Sequence, residues 1–401
     1  MAKQNKSPLG HTIDFLSSMG LASGLLVCLF LLTLLGTFAQ VHDGIYQVQK
    51  DYFESWFVLA EAGPIVVPLP GAVACLSLLS LNLLLGGFVR IRKNKSTYGV
   101  LVVHVGIVVM LAASLVKMTA ADEGRITLYE GESSDEFIHY HQWEVSIFDV
   151  KQQTQVKEWI IPNEQLVDLV DGRTRTFEFP DLGLELEFSN FVVNGRPLPK
   201  GPNWKAVGPT IDGYAIKELD FEAEAAERNV ACLIATAKTE GATAQGILWP
   251  FDHYPWVIEA DGKEWAVSLR HRRMPMPFSI TLDEFTRELH PGTGMAKVYS
   301  SDVTQTGLLS RTSQKVEISM NEPLRSEGLV LFQSSWGPSD AKEGDALYSQ
   351  FSVVRNPSDQ WPLVSCIIIT LGMLLAFGQK LRRYVHVQNT NRAKQLEGAS
   401  V

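Results

Sequence analysis

The sequence predicts an integral membrane α-helical chain with four transmembrane helices and a large all-β-rich extracytoplasmic domain. Three observations predict it. Four apolar stretches come close to the ~17–25 residues that a crossing helix needs. Between the third and fourth lies a long region of short alternating apolar and polar segments, punctuated by turn dipeptides such as Asp171-Gly172, Asp212-Gly213 and Asp261-Gly262. Lys and Arg gather beside the spans in three segments, all on one face of a four-span chain, and the positive-inside rule makes that face cytoplasmic.

In chain order, residues 1–20 are a cytoplasmic lead containing Lys3 and Lys6, and residues 21–40 are span one. The outer loop, 41–65, carries Tyr52, Phe53, Trp56 and Phe57, whose spacing predicts a short interfacial aromatic helix. Gly63-Pro64 and Pro68-Leu69-Pro70 break it before span two, 66–89. A basic loop, 90–97, holds Arg90, Arg92, Lys93 and Lys95, and span three follows at 98–117. The outer domain is 118–361, span four 362–379, and a short polar tail, 380–401, is expected to fray.

The outer domain reads as strands, with Leu184-Glu-Leu-Glu-Phe188 and Val316-Glu-Ile-Ser-Met320 as clear alternations. Many short strands of this kind imply a sandwich or open barrel. Leu282–Leu289 reads as one or two helical turns, Asn194–Pro209 as a long loop and Glu218–Glu227 as an acidic insertion. The domain holds 22 Lys and Arg against 38 Asp and Glu, a net charge of −16. That balance argues against nucleic acid and anionic lipid as partners. Cys28, Cys75 and Cys366 lie in spans and Cys232 stands alone. With no CxxC or CxxCH, the chain is neither a thiol oxidoreductase nor itself a c-type cytochrome.

His104 is the candidate that matters most. It is ionisable, it lies inside span three, and its own spans offer it no acid or base, so by default it marks a functional site. The simpler reading is a neutral imidazole bonding a neighbouring helix. Asn82 in span two sits at a similar depth, about 9–12 Å above the inner boundary at ~1.5 Å per residue. It could orient one nitrogen of His104, or make an interhelical bond of its own. Gly99, Gly106 and Ala113 recur every seven residues as a small face for helix packing, and Gly106 points roughly 160° away from His104. A ligand or a partner protein is then the expected neighbour of His104. Imidazole suits a haem iron as axial ligand, and with no second His in a span the other ligand would come from another protein. In the outer domain, His139 and His141 would share a strand face but lack further ligands. The basic cluster Arg270-His271-Arg272-Arg273 reads as a solvated loop or as a seat for propionates or a peptide.

These features together resemble the ResB (CcsB) family of system II cytochrome c biogenesis proteins. The resemblance rests on Leu35-Gly-Thr37, Ser55-Trp-Phe57, Leu81-Asn-Leu83, His104-Val-Gly-Ile107 and Gly124–Glu132. Further along it rests on Pro277-Phe-x-Ile-x-Leu-x-x-Phe285, Pro291-Gly-Thr293, Asn321-x-Pro-Leu324 and Gly328 with Phe332-Gln-Ser-Ser335. The resemblance implies a haem-handling subunit of a cytochrome c synthetase in the bacterial inner membrane, its large domain on the outer side. The implied partners are a CcsA (ResC) membrane protein with a tryptophan-rich WWD segment, apocytochrome c with CxxCH and, indirectly, thiol-reducing proteins. The cargo is b-type haem in transit, with His104 as one axial ligand and Asn82 beside it. No catalytic residue is implied on this chain. From a different class, the alternative is a membrane-anchored scaffold whose outer β domain binds a partner without haem.

Overall fold

A computed structural model describes residues 8–62, 65–91, 93–94, 97–151, 157–292, 296–338 and 346–398. Lys3, Lys6, Gly63, Pro64, Arg92, Lys95 and Thr293 lie outside the described residues. The chain divides into two compact units, Met1–Ala121 with Asn356–Val401, and Asp122–Arg355.

The first unit contains four helices long and apolar enough to cross a membrane: Met19–Phe53, Ala72–Arg90, Tyr98–Ala120 and Trp361–Arg392. A short helix, α1 (Pro8–Leu16), precedes α2 (Met19–Val48), whose first turn is capped by the Ser18 hydroxyl accepting from the Leu21 N–H at 3.1 Å. Gly44, at φ 72°, kinks α2 before a π turn at Gln49–Phe53. Two expectations are corrected here. The aromatic segment is this π turn followed by a strand, β1 (Phe57–Ala62), paired with β2 (Ile65–Pro70). Residues 66–70, counted into span two, are therefore strand, and the helix α3 (Ala72–Leu83) starts only after Gly71. The β-branched run Ile65-Val66-Val67 and the prolines at 68 and 70 favour extended backbone over helix. Glycine is required at 71, because a Cβ there would run into the backbone of Ser55.

The remaining helices are α4 (Tyr98–Ala120) and α5 (Trp361–Gly398). The seven-residue small face packs within the chain, as expected. Gly99, Gly106 and Ala113 are the buried residues of α4. A Cβ on Gly106 would fall 2.5 Å from Ile369 Cγ1, and one on Gly99 would strike the backbone of Ala376. Close approach lets Ser365 Oγ donate to Gly106 O at 2.7 Å and Ser358 Oγ to Ala113 O at 2.9 Å. The tail is not frayed after Phe377. It continues α5 as helix, because residues 380–398 hold good helix formers and neither Pro nor an internal Gly.

Among its described residues, the second unit is all β apart from short 3₁₀ turns. Its strands are β3 (Asp122–Tyr129), β4 (Ser133–Asp149), β5 (Glu158–Ile161), β6 (Thr174–Phe179), β7 (Leu184–Val192) and β8 (Gly195–Pro199). Next come β9 (Val207–Ile211), β10 (Tyr214–Glu218), β11 (Cys232–Lys238), β12 (Thr243–Leu248) and β13 (Trp256–Ala260). The last are β14 (Lys263–Leu289), β15 (Ala296–Gly307), β16 (Ser313–Ser319), β17 (Leu324–Ser326), β18 (Leu329–Gly337) and β19 (Tyr348–Arg355). They form a ten-stranded sheet ordered β16-β15-β14-β4-β3-β19-β18-β17, with β13 on β14 and β5 on β4. A four-stranded sheet, β12-β11-β7-β6, and a three-stranded one, β8-β10-β9, complete the unit. The Asn194–Pro209 loop is thus largely β8 and part of β9.

Two apolar cores share the long strands β4 and β14. One gathers Trp143, Val145, Ile147, Phe188, Leu233, Trp265 and Val267. The other gathers Phe137, Phe278, Ile280, Leu282, Val303, Leu331 and Phe351. The Leu282–Leu289 helix is corrected to strand. A register shift between Leu282 and Glu284 lets Phe285, three residues on, share the buried face of Leu282, and that spacing of three imitates a helical period.

Candidate functional site

His104 stands on α4, partly buried, and faces the π-helical continuation of α3, Leu84–Arg90. Its Nδ1 lies 3.3 Å from the carbonyl oxygen of Gly87, and the Phe88 ring is 6.1 Å away, centroid to centroid. Among the described residues the ring makes no other hydrogen bond. A Cβ on Gly87 would fall 2.5 Å from His104 Nδ1. Only glycine lets the imidazole rest against this backbone. Single π turns inside helices release carbonyls from the regular ladder and recur at functional sites. The arrangement suits an Nδ1–H donating to Gly87 O, which leaves the Nε2 lone pair available as a ligand.

Of the two readings of Asn82, the structure shows a hydrogen bond of its own. Asn82 is buried, but its Nδ2 donates to Leu16 O at 2.6 Å and Ser18 O at 2.9 Å. Those carbonyls turn outward at the α1–α2 elbow and need donors, and the only side-chain amide within α3 supplies them. Arg90 joins the same elbow, donating to Ser17 Oγ at 2.9 Å and pairing with Asp14 at 3.2 Å. Gly86 presses its Cα face toward Ser17 O. The Gly86-Gly87 pair therefore separates two features, the elbow on one side and His104 on the other. Sequence reasoning passed over this pair; its signal is two adjacent glycines inside an apolar span.

The basic cluster Arg270–Arg273 lies on β14, where the strand passes between the two cores. Arg270 Nε donates to Glu144 at 2.9 Å, and its two Nη atoms form a fork onto Glu158. Glu158 is held below the usual carboxylate range, chiefly by that hydrogen bond from Arg270. Arg272 bonds Gln142 and Glu164, and Arg273 pairs with Glu136 at 3.0 Å. These guanidiniums neutralise carboxylates of the same sheet, and the solvated-loop reading gives way to an ion-paired strand. His271 stacks on Trp143 at 3.9 Å. His139 Nδ1 accepts from the N–H groups of His141 and Gln142 at 3.1 and 3.2 Å, so it stabilises a local turn of β4. Among the described residues no group of three metal-ligating side chains comes together.

Residues 230–347, from the approach to β11 through β18, match the model of the ResB-like family. This stretch is ResB-like. This agrees with the resemblance read from its motifs and points to cytochrome c biogenesis. No curated protein matches the chain. Within the matched stretch, the most specific ResB-like motif has a structural explanation. Gln333, of Phe332-Gln-Ser-Ser335, accepts from Ser301 Oγ at 2.7 Å and donates to Ser349 Oγ at 2.9 Å, tying β15, β18 and β19 through a polar knot. Glu327 and Gly328, at φ 47° and 81°, make the β17–β18 turn, so the motif's glycine is set by backbone conformation. Within residues 230–347 these motifs hold the sheet together.

Proposed function

We propose that this chain is the haem-handling subunit of a system II cytochrome c synthetase. It would lie in the bacterial inner membrane, multi-pass, with the β domain on the outer side. It would work with a CcsA (ResC)-type WWD protein to move b-type haem across the membrane and present it for thioether attachment to the CxxCH of apocytochrome c. Thiol-reducing proteins would act indirectly, by keeping the client cysteines reduced.

The single observation that supports this reading is the His104–Gly87 contact. An imidazole in an apolar span, with one nitrogen on a carbonyl and the other unengaged, has the donor set that haem iron accepts. Haem here is cargo, and its iron would be the Lewis acid that Nε2 meets. The residues of this chain do the rest. Gly87 O fixes the tautomer, the missing Cβ at 87 gives the ring room, and the Ser365 and Ser358 bonds hold α4 against α5 behind it. His42 and His386 lie toward the ends of their helices, and the second axial ligand would come from the partner. Thioether formation needs thiols, a vinyl group and orientation, and it calls for no catalytic side chain here.

The test is the absorption spectrum of the chain purified with its WWD partner. A bis-imidazole haem spectrum is expected, lost in His104→Ala and restored by added imidazole. Haem that stays bound in His104→Ala, or never returns with imidazole, removes the ligand role. Cytochrome maturation that survives His104→Gln would instead favour the scaffold.

A further inference from the structure

We propose that the hollow around Arg125 in the outer domain is a carboxylate-binding site, separate from the helix-borne histidine. The cavity measures about 310 Å³ and is lined by Arg125, Tyr140, His141, Glu227, Ser334 and Gln350. The residues come from β3, β4, β18 and β19 and from the 3₁₀ turn Ala226–Arg228. In β3, Gly124, Ile126 and Leu128 are buried, so Arg125 stands on the opposite face from that core.

Arg125 is partly buried, yet its guanidinium makes neither a hydrogen bond nor an ion pair among the described residues. Its neighbours behave differently. Arg273, one row across the sheet through Ile138, pairs with Glu136. Arg270 and Arg272 have carboxylates, and Arg355 has Asp122 at 4.0 Å. A partly desolvated guanidinium left unpaired is costly unless a ligand completes it. The other lining groups supply hydroxyls from Tyr140 and Ser334, an amide from Gln350 and an imidazole from His141, all able to donate to an oxyanion. Glu227 is the acid among them. One guanidinium against one carboxylate leaves little positive charge for a phosphate dianion and suits a single carboxylate. The volume admits a carboxylate on a short aliphatic arm. The arm could belong to a porphyrin propionate or to an acidic side chain of a peptide.

The experiment uses the full chain in detergent and reads fluorescence anisotropy. One arm titrates metal-free mesoporphyrin, as the diacid and as the dimethyl ester. With no iron to ligate, this result is independent of His104. The second arm titrates a coumarin-labelled tetrapeptide carrying two Glu, and its Gln counterpart. In at least one arm the acid form binds wild type about tenfold or more tightly than it binds Arg125→Gln, the scale of a charge-assisted hydrogen bond, with Arg125→Lys between. The ester or Gln form shows no such difference. A difference confined to the porphyrin identifies a propionate, and one confined to the peptide identifies a protein client. Equal binding to wild type and Arg125→Gln in both arms overturns the proposal. So does a melting temperature clearly lowered in Arg125→Gln, because that would reveal an internal partner for the guanidinium.

Discussion

His104 Nδ1 and the Gly87 carbonyl oxygen face each other at 3.3 Å, across a gap that a single methyl group would close. The contact makes Gly87 a positioning residue for the imidazole. In Gly87→Ala the ring is displaced and loses its tautomer-setting acceptor. On the proposed function, haem retention with the WWD partner would fall about 10- to 100-fold, the range for removing a group that orients a metal-bound histidine. Gly86→Ala is the control, since its Cβ would press on Ser17 O at 3.1 Å and not on the ring. The decisive measurement is the Gly87→Ala/His104→Ala double variant with imidazole. If Gly87 acts through the ring, imidazole restores haem to the double variant as fully as to His104→Ala alone.

The α4–α5 seam makes a separate prediction. Ser365 donates to Gly106 O, and Gly106 has no room for a side chain against Ile369. Ser365→Ala is expected to cost roughly 1 kcal/mol, within the range for hydrogen bonds between membrane helices. Gly106→Leu is expected to part the helices. Thermal unfolding of the full chain in detergent reads this, with a small drop in midpoint for Ser365→Ala and a large one for Gly106→Leu, whose side chain would meet Ile369 and the Ser365 backbone.

The four apolar helices, the β-rich domain and the heptad-spaced small face are legible in the sequence because each rests on a local period. Gly99, Gly106 and Ala113 declare a packing face whatever the partner, and α5 fills it. The choice between the two readings of Asn82 was not legible, because depth along two spans says nothing of the elbow at Leu16–Ser18, whose carbonyls take its amide. Gly87 was overlooked because a backbone carbonyl has no letter in the sequence. The Leu282–Leu289 misreading has the same origin as the hidden pairing of Arg270. Strand register and bulges are set by non-local partners, here Ser301, Asp302, Glu144 and Glu158.

Among the described residues of the second unit, Arg270 carries the most buried ion-pair network. Glu144 is 3% exposed and its carboxylate faces Arg270 alone among the guanidiniums of the cluster. Arg270→Met leaves that carboxylate buried without a counterion, and a loss of roughly 3–5 kcal/mol is expected. The double variant Arg270→Met/Glu144→Met should recover much of the loss, since an apolar pair of similar volume removes both desolvation costs. Urea unfolding followed by tryptophan fluorescence checks both, with Trp143, Trp159 and Trp265 close by as reporters. A single variant as stable as the parent would mean that the network contributes nothing.

The waist between the two cores also sets how the domain responds to acid. His139 is pushed down to about 4 from an ordinary 6.5, first by burial and then by the charge of His141. His271 is likewise pushed down to about 4, first by burial and then by the positive charge of Arg125. Both rings are therefore neutral in the folded domain at pH 6, while the unfolded chain takes up protons there. Stability is fully present above about pH 6.5, declines steadily as pH falls from 6.5 to 4, and gains no further slope from these groups below 4. Glu158, held below its usual 4.5 by Arg270, adds a separate loss that begins only below that value. His271→Phe separates the two windows. A phenyl ring keeps the stack on Trp143 and replaces an Nδ1 that is buried without a hydrogen-bond partner. Melting temperatures recorded from pH 7.5 to 3.5 should therefore show a shallower decline between 6.5 and 4 in His271→Phe, with the drop below 4.5 intact. Parallel curves for parent and variant across the upper window would mean that the imidazole titrates at its ordinary value in the folded domain.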